Sequence, residues 1–320
     1  GGPPCPAYSW VGRARHMGKI NYLAKHDNRH FFYKEYLNIL NLVKPEIFVM
    51  ENVKGILSAT MDGEKMFPQI LDDLRNPAKA LGKKSGSEYS IYSFAFDDKS
   101  AESEFDNKHY IIKSELYGIP QARHRVILLG VRNDIKKKPR ILMPSNEVTV
   151  ENIIGDLPKL RSGLSKEKDT LWFNVINDIF SELPKALKYE NQHEIAKHIK
   201  SLKEQINFDL NRGARFVEAN LMLNNIPPKL RRWIKDEKIY GTLNHETRGH
   251  IRSDLERYLY CSTFALVNKS RDNPTPKSKE FPLCLAPKHQ NWESGKFADR
   301  FRVQVKNKHA TTITSHISKD

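Results

Sequence analysis

Between residues 31 and 132 the chain changes hydrophobic period repeatedly, and this switching limits its fold more than any other feature. FFYKEYLNILNLV (31–43) sets Phe32, Tyr36, Leu40 and Val43 near helical spacing, and Pro45 ends the run. EIFVM (46–50) is an apolar run of strand length, and ENVKGIL turns away from it. MFPQILDDL (66–74) returns to helical spacing. IYSFAF (91–96) alternates weakly, and DDKSAESEFDNK (97–108) reads as an acidic, exposed loop. HYIIKS and RVILLGVR (125–132) read as two more strands, joined by ELYGIPQARH. Helices and strands in this alternation predict an α/β fold, with a mostly parallel sheet and helices on its faces.

Beyond the basic KKKPR (136–140) the pattern changes. TVENIIGDLPKL (148–160) predicts a short helix and its exit. Residues 166–240 read as long, polar and helix-rich, and residues 272–292 hold four prolines and read as irregular. The expected organisation is one domain over residues 1–150, a second, smaller one over 151–305, and a return to the first over 306–320. Net charge is +15, with the excess in both halves, which points to a polyanionic partner, nucleic acid first. No apolar run approaches the ~18 residues of a membrane span. Cys5, Cys261 and Cys284 are too few for a disulfide framework and lack metal-ligand spacing, so a reducing cytoplasmic setting and no metal are expected. His245 and His250, in HETRGH, are five apart and diverge on a helix, unlike the pair four apart in a zinc-protease helix.

Three short motifs carry chemistry. In GGPPCPAYS (1–9), prolines stiffen the approach to Cys5 and two glycines permit a tight backbone. A cysteine at the carboxyl end of a strand in an open α/β sheet can act as a nucleophile where its thiolate is favoured. In MENVKG, Glu51 directly follows the apolar run, a position from which a carboxyl group can exchange a proton. In YGIPQARHRVILLG, Arg123 and Arg125 alternate beside Gln121, so both guanidinium groups can address one acceptor-rich ligand. Each admits a plainer reading when taken singly: a buried structural cysteine, a capping carboxylate, a solvated strand entrance.

Together the order and spacing of GGPPC, ENV and GIPQARHR resemble the cytosine-5 DNA methyltransferase family of bacterial restriction–modification systems. HDNRHFFYKEYL (26–37) is similar to the family's Asp-x-Arg-x-x-Leu segment, with Phe32 in the Leu place. FADRFRVQVKNKHATTITSHISKD (297–320) is similar to the stretch that leads bacterial members back into the catalytic domain. The resemblance implies a Rossmann-like S-adenosylmethionine-dependent sheet with a target-recognition domain. It implies methyl transfer to carbon 5 of a cytosine that has left its duplex.

By this resemblance Cys5 is the nucleophile that adds to carbon 6, Glu51 the group that shares a proton with ring nitrogen 3, and Arg125 the donor to the base carbonyl. Arg123 supports the loop or the phosphate. Asn52 fixes the backbone around Glu51. Residues 9–30 match a basic loop that closes over the base, with Ser9, Arg13, Arg15 and Gln121 meeting DNA. The Arg clusters LNRGAR, LRRW and ETRGHIRSD are the candidates for contacts to phosphates and base edges.

Pro6 stands where the family usually has Gln, which affects loop contacts to DNA more than the nucleophile. The family's Gly-rich cofactor loop precedes its cysteine motif, so only Pro4 and Phe32 would touch S-adenosylmethionine here. The expectation is a chain truncated at both ends and inactive alone, monomeric, with duplex DNA as partner. A restriction endonuclease acting on the same site would be an indirect partner. Two alternatives stay open: an RNA cytosine-5 methyltransferase, and a relative that binds DNA without chemistry.

Overall fold

The computed structural model describes residues 1–3, 32–61, 63–97, 106–165, 168–224, 226–277, 280–287 and 301–312. The chain divides into two compact units, Gly1–Val148 and Thr149–Asp320.

The first unit is α/β. Helix α1 (Phe32–Val43) buries Tyr33, Leu37 and Leu40, spaced four and three apart, and therefore lying on one face. The expected helix is present, but its buried stripe is offset. Phe32 and Val43, read as core-facing, are 39% and 67% exposed. Lys44 leaves the helix with φ 49°, and Pro45 follows. Strand β1 (Ile47–Val53) continues past the apolar run, so Glu51 lies within it rather than after it. Helix α2 (Met66–Arg75) buries Phe67, Ile70, Leu71 and Leu74. Strands β2 (Tyr89–Ser93), β3 (Ile111–Lys113) and β4 (His124–Arg132) complete the sheet.

Strand β4 is the hub. It pairs antiparallel with β1 from Ile47↔Val131 to Val53↔Arg125, with β2 from Tyr89↔Arg132 to Ser93↔Leu128, and with β3 through Ile112↔Arg125. The expected mostly parallel sheet is therefore corrected among the described residues. β1 and β2 run parallel to each other, but the antiparallel β4 lies between them. Opposite Phe48, Gly130 leaves room for its ring, which lies 2.1 Å from where a Cβ would sit. Phe67, Ile70 and Leu74 of α2 pack with Leu37, Met50, Tyr110 and Leu128 into one core.

The second unit centres on three helices: α4 (Trp172–Tyr189), α5 (His193–Leu202) and α7 (Arg252–Val267). Ile179, Leu187, Ile199, Tyr260 and Phe264 form its core. The short helix α3 (Val150–Ile154) precedes them, capped by Thr149, whose side chain accepts from the Asn152 amide. Strands β5 (Gly213–Glu218) and β6 (Gly241–Glu246) form a separate antiparallel ribbon, with helix α6 (Pro228–Ile234) in the connection between them. His245 lies in β6 and His250 in a two-residue strand. Among the described residues no helix is long and apolar enough to cross a membrane.

Candidate active site

The carboxyl end of β1 and the start of β4 bring two of the sequence-expected residues together. In the antiparallel register Glu51 faces Ile127 and Val53 faces Arg125, so Glu51 and Arg125 are diagonal neighbours on one face. Arg125 Nε donates to Glu51 Oε1 at 2.8 Å, and its Nη1 donates to the His124 carbonyl at 2.8 Å. The Arg125 side chain is 21% exposed and that of Glu51 46% exposed. Among the described residues Nη2 of Arg125 is left over as a donor, beside a carboxylate that still faces solvent. This arrangement can bind a small ligand that presents acceptors to the guanidinium and an acceptor or donor to the carboxyl group.

The other edge of β1 holds the start of the chain in place. The Gly1 amino group donates to the Val49 carbonyl at 2.6 Å, and the Glu51 amide donates to the Gly1 carbonyl at 3.0 Å. Asn52 is 2% exposed. Its Nδ2 donates to the Pro3 carbonyl at 3.3 Å, and its Oδ1 accepts from the Val53 amide at 2.8 Å. Asn52 therefore tethers the segment that leads to Cys5, as well as the backbone beside Glu51. The paired glycines reflect how close this approach is. A Cβ on Gly2 would lie 3.2 Å from the Glu51 carbonyl oxygen and 3.4 Å from its Oε2, tighter than a side chain tolerates without displacement. Tyr36 supports the same edge. Its hydroxyl donates to the Val49 carbonyl at 3.0 Å, and burial pushes the phenol up to about 12, so it remains a donor.

Arg123 and Gln121 sit just before β4. Ser114, which no sequence motif singles out, organises them. Its hydroxyl donates to the Gln121 carbonyl at 2.6 Å and accepts from the Arg123 amide at 2.8 Å. The turn between them relies on Gly118 at φ 76°. The Arg123 side chain is exposed, whereas that of Arg125 folds onto Glu51. His124 points to the opposite face, where its Nε2 meets Glu115 Oε1 at 2.7 Å. Phe32 stands at the first position of α1, away from the core. Pro4, Cys5, Ser9, Arg13 and Arg15 lie outside the described residues.

The two described cysteines are poor nucleophiles. Burial pushes Cys261 up to about 12. Cys284 lies at the surface, yet partial burial of its thiol and the neighbouring Glu190 carboxylate also raise it. Among the described residues no group of His, Cys, Asp and Glu could hold a metal ion.

The first unit thus places a carboxylate–guanidinium pair near the end of a strand, beside a tethered Gly-Pro segment. The family profile for C-5 cytosine-specific DNA methylase matches residues 1–78 and 95–162. The chain is 31% identical over 323 residues to the Type II methyltransferase M.Bpa9945I of Bacillus paralicheniformis, covering 100% of this chain and 56% of that protein. It is 33% identical over 165 residues to the Type II methyltransferase M.BspRI of Lysinibacillus sphaericus, covering 49% of this chain and 30% of that protein. A third relative, the Type II methyltransferase M.BsuRI of Bacillus subtilis, is 28% identical over 165 residues, 49% of this chain and 29% of that protein. The chain thus spans about half the length of the first of these relatives and less of the others. It belongs to the C-5 cytosine-specific DNA methylase family.

Proposed function

We propose that this chain carries the base-handling half of a DNA cytosine-5 methyltransferase, with Cys5, Glu51 and Arg125 acting on a cytosine swung out of its duplex. The observation that carries the reading is the Glu51–Arg125 pair set beside the tethered Gly1–Pro3 segment. Cys5 follows Pro3 by two residues, and a chain of that length reaches no further than ~7 Å.

The polar edge of cytosine presents a carbonyl acceptor, a ring-nitrogen acceptor and an amino donor in sequence. Arg125 can donate to the carbonyl. A protonated Glu51 donates to ring nitrogen 3 while its second oxygen accepts from the amino group. Addition of the Cys5 thiolate to carbon 6 forms a sulfur–carbon bond and pushes electron density toward nitrogen 3, where Glu51 shares its proton. Carbon 5 then becomes nucleophilic. After transfer, loss of the carbon 5 proton breaks the sulfur–carbon bond and frees the enzyme. Extrusion of the base costs a few kcal/mol, roughly, before any of this begins.

The family implies S-adenosylmethionine as methyl donor, supplying an electrophilic methyl. The described residues do not make a pocket for it. Phe32 offers only an exposed ring at the start of α1. The second unit is the part that reads sequence, and a restriction endonuclease cutting the same site is the indirect partner that the likeness to Type II methyltransferases suggests. Transfer of labelled methyl groups tests the reading. The complete methyltransferase that contains this half should label duplex DNA and leave transfer RNA unlabelled, and the reverse preference would establish the RNA alternative.

A further inference from the structure

The arginine clusters of the second unit separate once their partners are known. Arg212 turns inward, its Nη2 donating to the Thr247 carbonyl at 2.8 Å. Arg252 is paired with Glu182 and Glu256, and Arg231 approaches Glu237. Arg215, Arg232 and Arg248 are exposed, with no ion-pair or hydrogen-bond partner for their side chains among the described residues, and of these three Arg215 is the one in the middle of β5.

The ribbon that carries Arg215 is fixed at one end and open along its length. At the base, the Thr247 amide donates to the Arg212 carbonyl at 2.8 Å, and His245 Nε2 lies 2.8 Å from the Pro158 carbonyl. Gly213, at φ 79°, packs so tightly that a Cβ would sit 1.9 Å from the His245 carbonyl oxygen. Beyond the base both faces are exposed: Phe216 and Leu243, which pair across the strands, are 51% and 61% exposed. The register runs Leu243↔Phe216 and His245↔Ala214, which leaves Asn244 opposite Arg215.

Asn244 breaks the local rule for a strand. Its φ is 54°, in the left-handed region, although glycine is the residue that adopts that region without cost. Asn tolerates that region better than most side chains, and here its side chain is exposed with no hydrogen-bond partner among the described residues, so the amide faces outward.

We infer that the β5–β6 ribbon is the element that enters the major groove of the target duplex, with Arg215 and Asn244 reading base edges. This rests on the reading of the second unit as the part that recognises DNA. The groove admits a two-stranded ribbon, and Arg and Asn are the side chains whose paired hydrogen bonds match guanine and adenine respectively. Opposed residues on a ribbon stand about 5 Å apart, against ~3.4 Å between stacked base pairs, so the two address the same or adjacent pairs. Lys229 and Arg232 are exposed on α6, between the two strands in sequence, and supply positive charge for the flanking phosphates. Because one pair cannot hold both guanine and adenine, the recognised site contains a G·C pair next to an A·T pair.

The test uses this chain and its Asn244→Gly and Arg215→Gln variants with a duplex library randomised over its central base pairs. Asn244→Gly removes the amide while relieving the left-handed backbone, so it should melt at or above the wild-type temperature. It should still lose on the order of 10-fold or more of its discrimination at one base pair. Arg215→Gln should relax or switch the preference at the next pair. Variants that enrich the wild-type sequence unchanged overturn this inference alone. So does a uniform loss of affinity for every duplex, which would mark phosphate contacts, or an Asn244→Gly variant that melts lower than the wild type. A wild-type chain that enriches no sequence, or that binds duplex RNA as well as DNA, overturns the reading of the second unit and this inference with it.

Discussion

Asn52→Asp is the most informative single change in the first unit. The substitution keeps the shape and the Oδ1 that accepts from the Val53 amide, but replaces the group that donates to the Pro3 carbonyl. At neutral pH a buried carboxylate then faces a carbonyl oxygen in a site 2% exposed. Leaving a buried backbone acceptor unpaired costs about 1–3 kcal/mol, and burial of the new charge adds to it. At roughly 2–4 °C per kcal/mol for a unit of this size, the melting temperature should fall by about 4–12 °C. Asn52→Ala orphans both backbone groups and should fall by a similar amount. The two variants differ in their response to pH. Burial raises the folded-state pKa of a carboxyl at position 52, so the protonated form, which can donate to Pro3, is favoured in the folded chain. Stability is then present below the ordinary carboxylate pKa and is lost as pH rises through the raised value. Melts at pH 7.5 and pH 5 should show the Asp variant recovering toward the wild type, whereas the Ala variant does not. An Asp variant that melts like the wild type at pH 7.5, or whose deficit is independent of pH, would refute the tether.

Glu51→Gln and Arg125→Met should separate stability from chemistry. The pair is partly exposed and contributes no more than ~1 kcal/mol to folding, so melting should shift by only a few degrees. Methyl transfer should fall by roughly 10²- to 10³-fold, as when one oriented donor is lost from a reacting centre. Retained transfer in either variant would remove that residue from the mechanism. His250 gives a pH signature in the second unit. Desolvation holds it below the ordinary histidine value, with Arg248 reinforcing this and Asp254 opposing it. Its neutral form is favoured in the folded chain, so stability is present above the ordinary value and is lost as pH falls through the depressed one. His250→Phe, which preserves the edge contact with Tyr258, should melt with a weaker pH dependence between 7.5 and 5.5. An unchanged slope would contradict the shift.

Much of the first unit can be read in the sequence because its elements are locally consistent. Helix α2 shows its stripe at Phe67, Ile70, Leu71 and Leu74, and β4 is an unbroken apolar run between charged ends. The α1 stripe was offset because Phe32 and Tyr36 lie on the same face and compete with Tyr33 and Leu37, a choice that only the packed core resolves. Strand direction was not legible, since periodicity carries no information on which neighbour a strand will choose. The β5–β6 ribbon was hidden for a different reason. Its strands expose Phe216 and Leu243 instead of burying them, and helix α6 lies between them, so neither the alternation nor a short turn marks a hairpin. Helix α7 escaped notice because Leu255, Tyr258, Leu259, Tyr260 and Phe264 spread around it instead of forming one stripe. At the site, motif order identified Glu51 and Arg125. Ser114 and the reach of Asn52 to Pro3 depend on long-range pairing, which no local pattern reveals.

The most direct measurement is mass-spectrometric mapping of the covalent complex that the complete methyltransferase containing this chain forms on duplexes containing 5-fluorocytosine in the presence of S-adenosylmethionine. Fluorine blocks the final loss from carbon 5, so an adduct, once methylated, persists. The account predicts a base-modified peptide whose linkage is at Cys5, and no adduct from Cys5→Ser. Linkage at Cys261 or Cys284, or an adduct that survives Cys5→Ser, would contradict it.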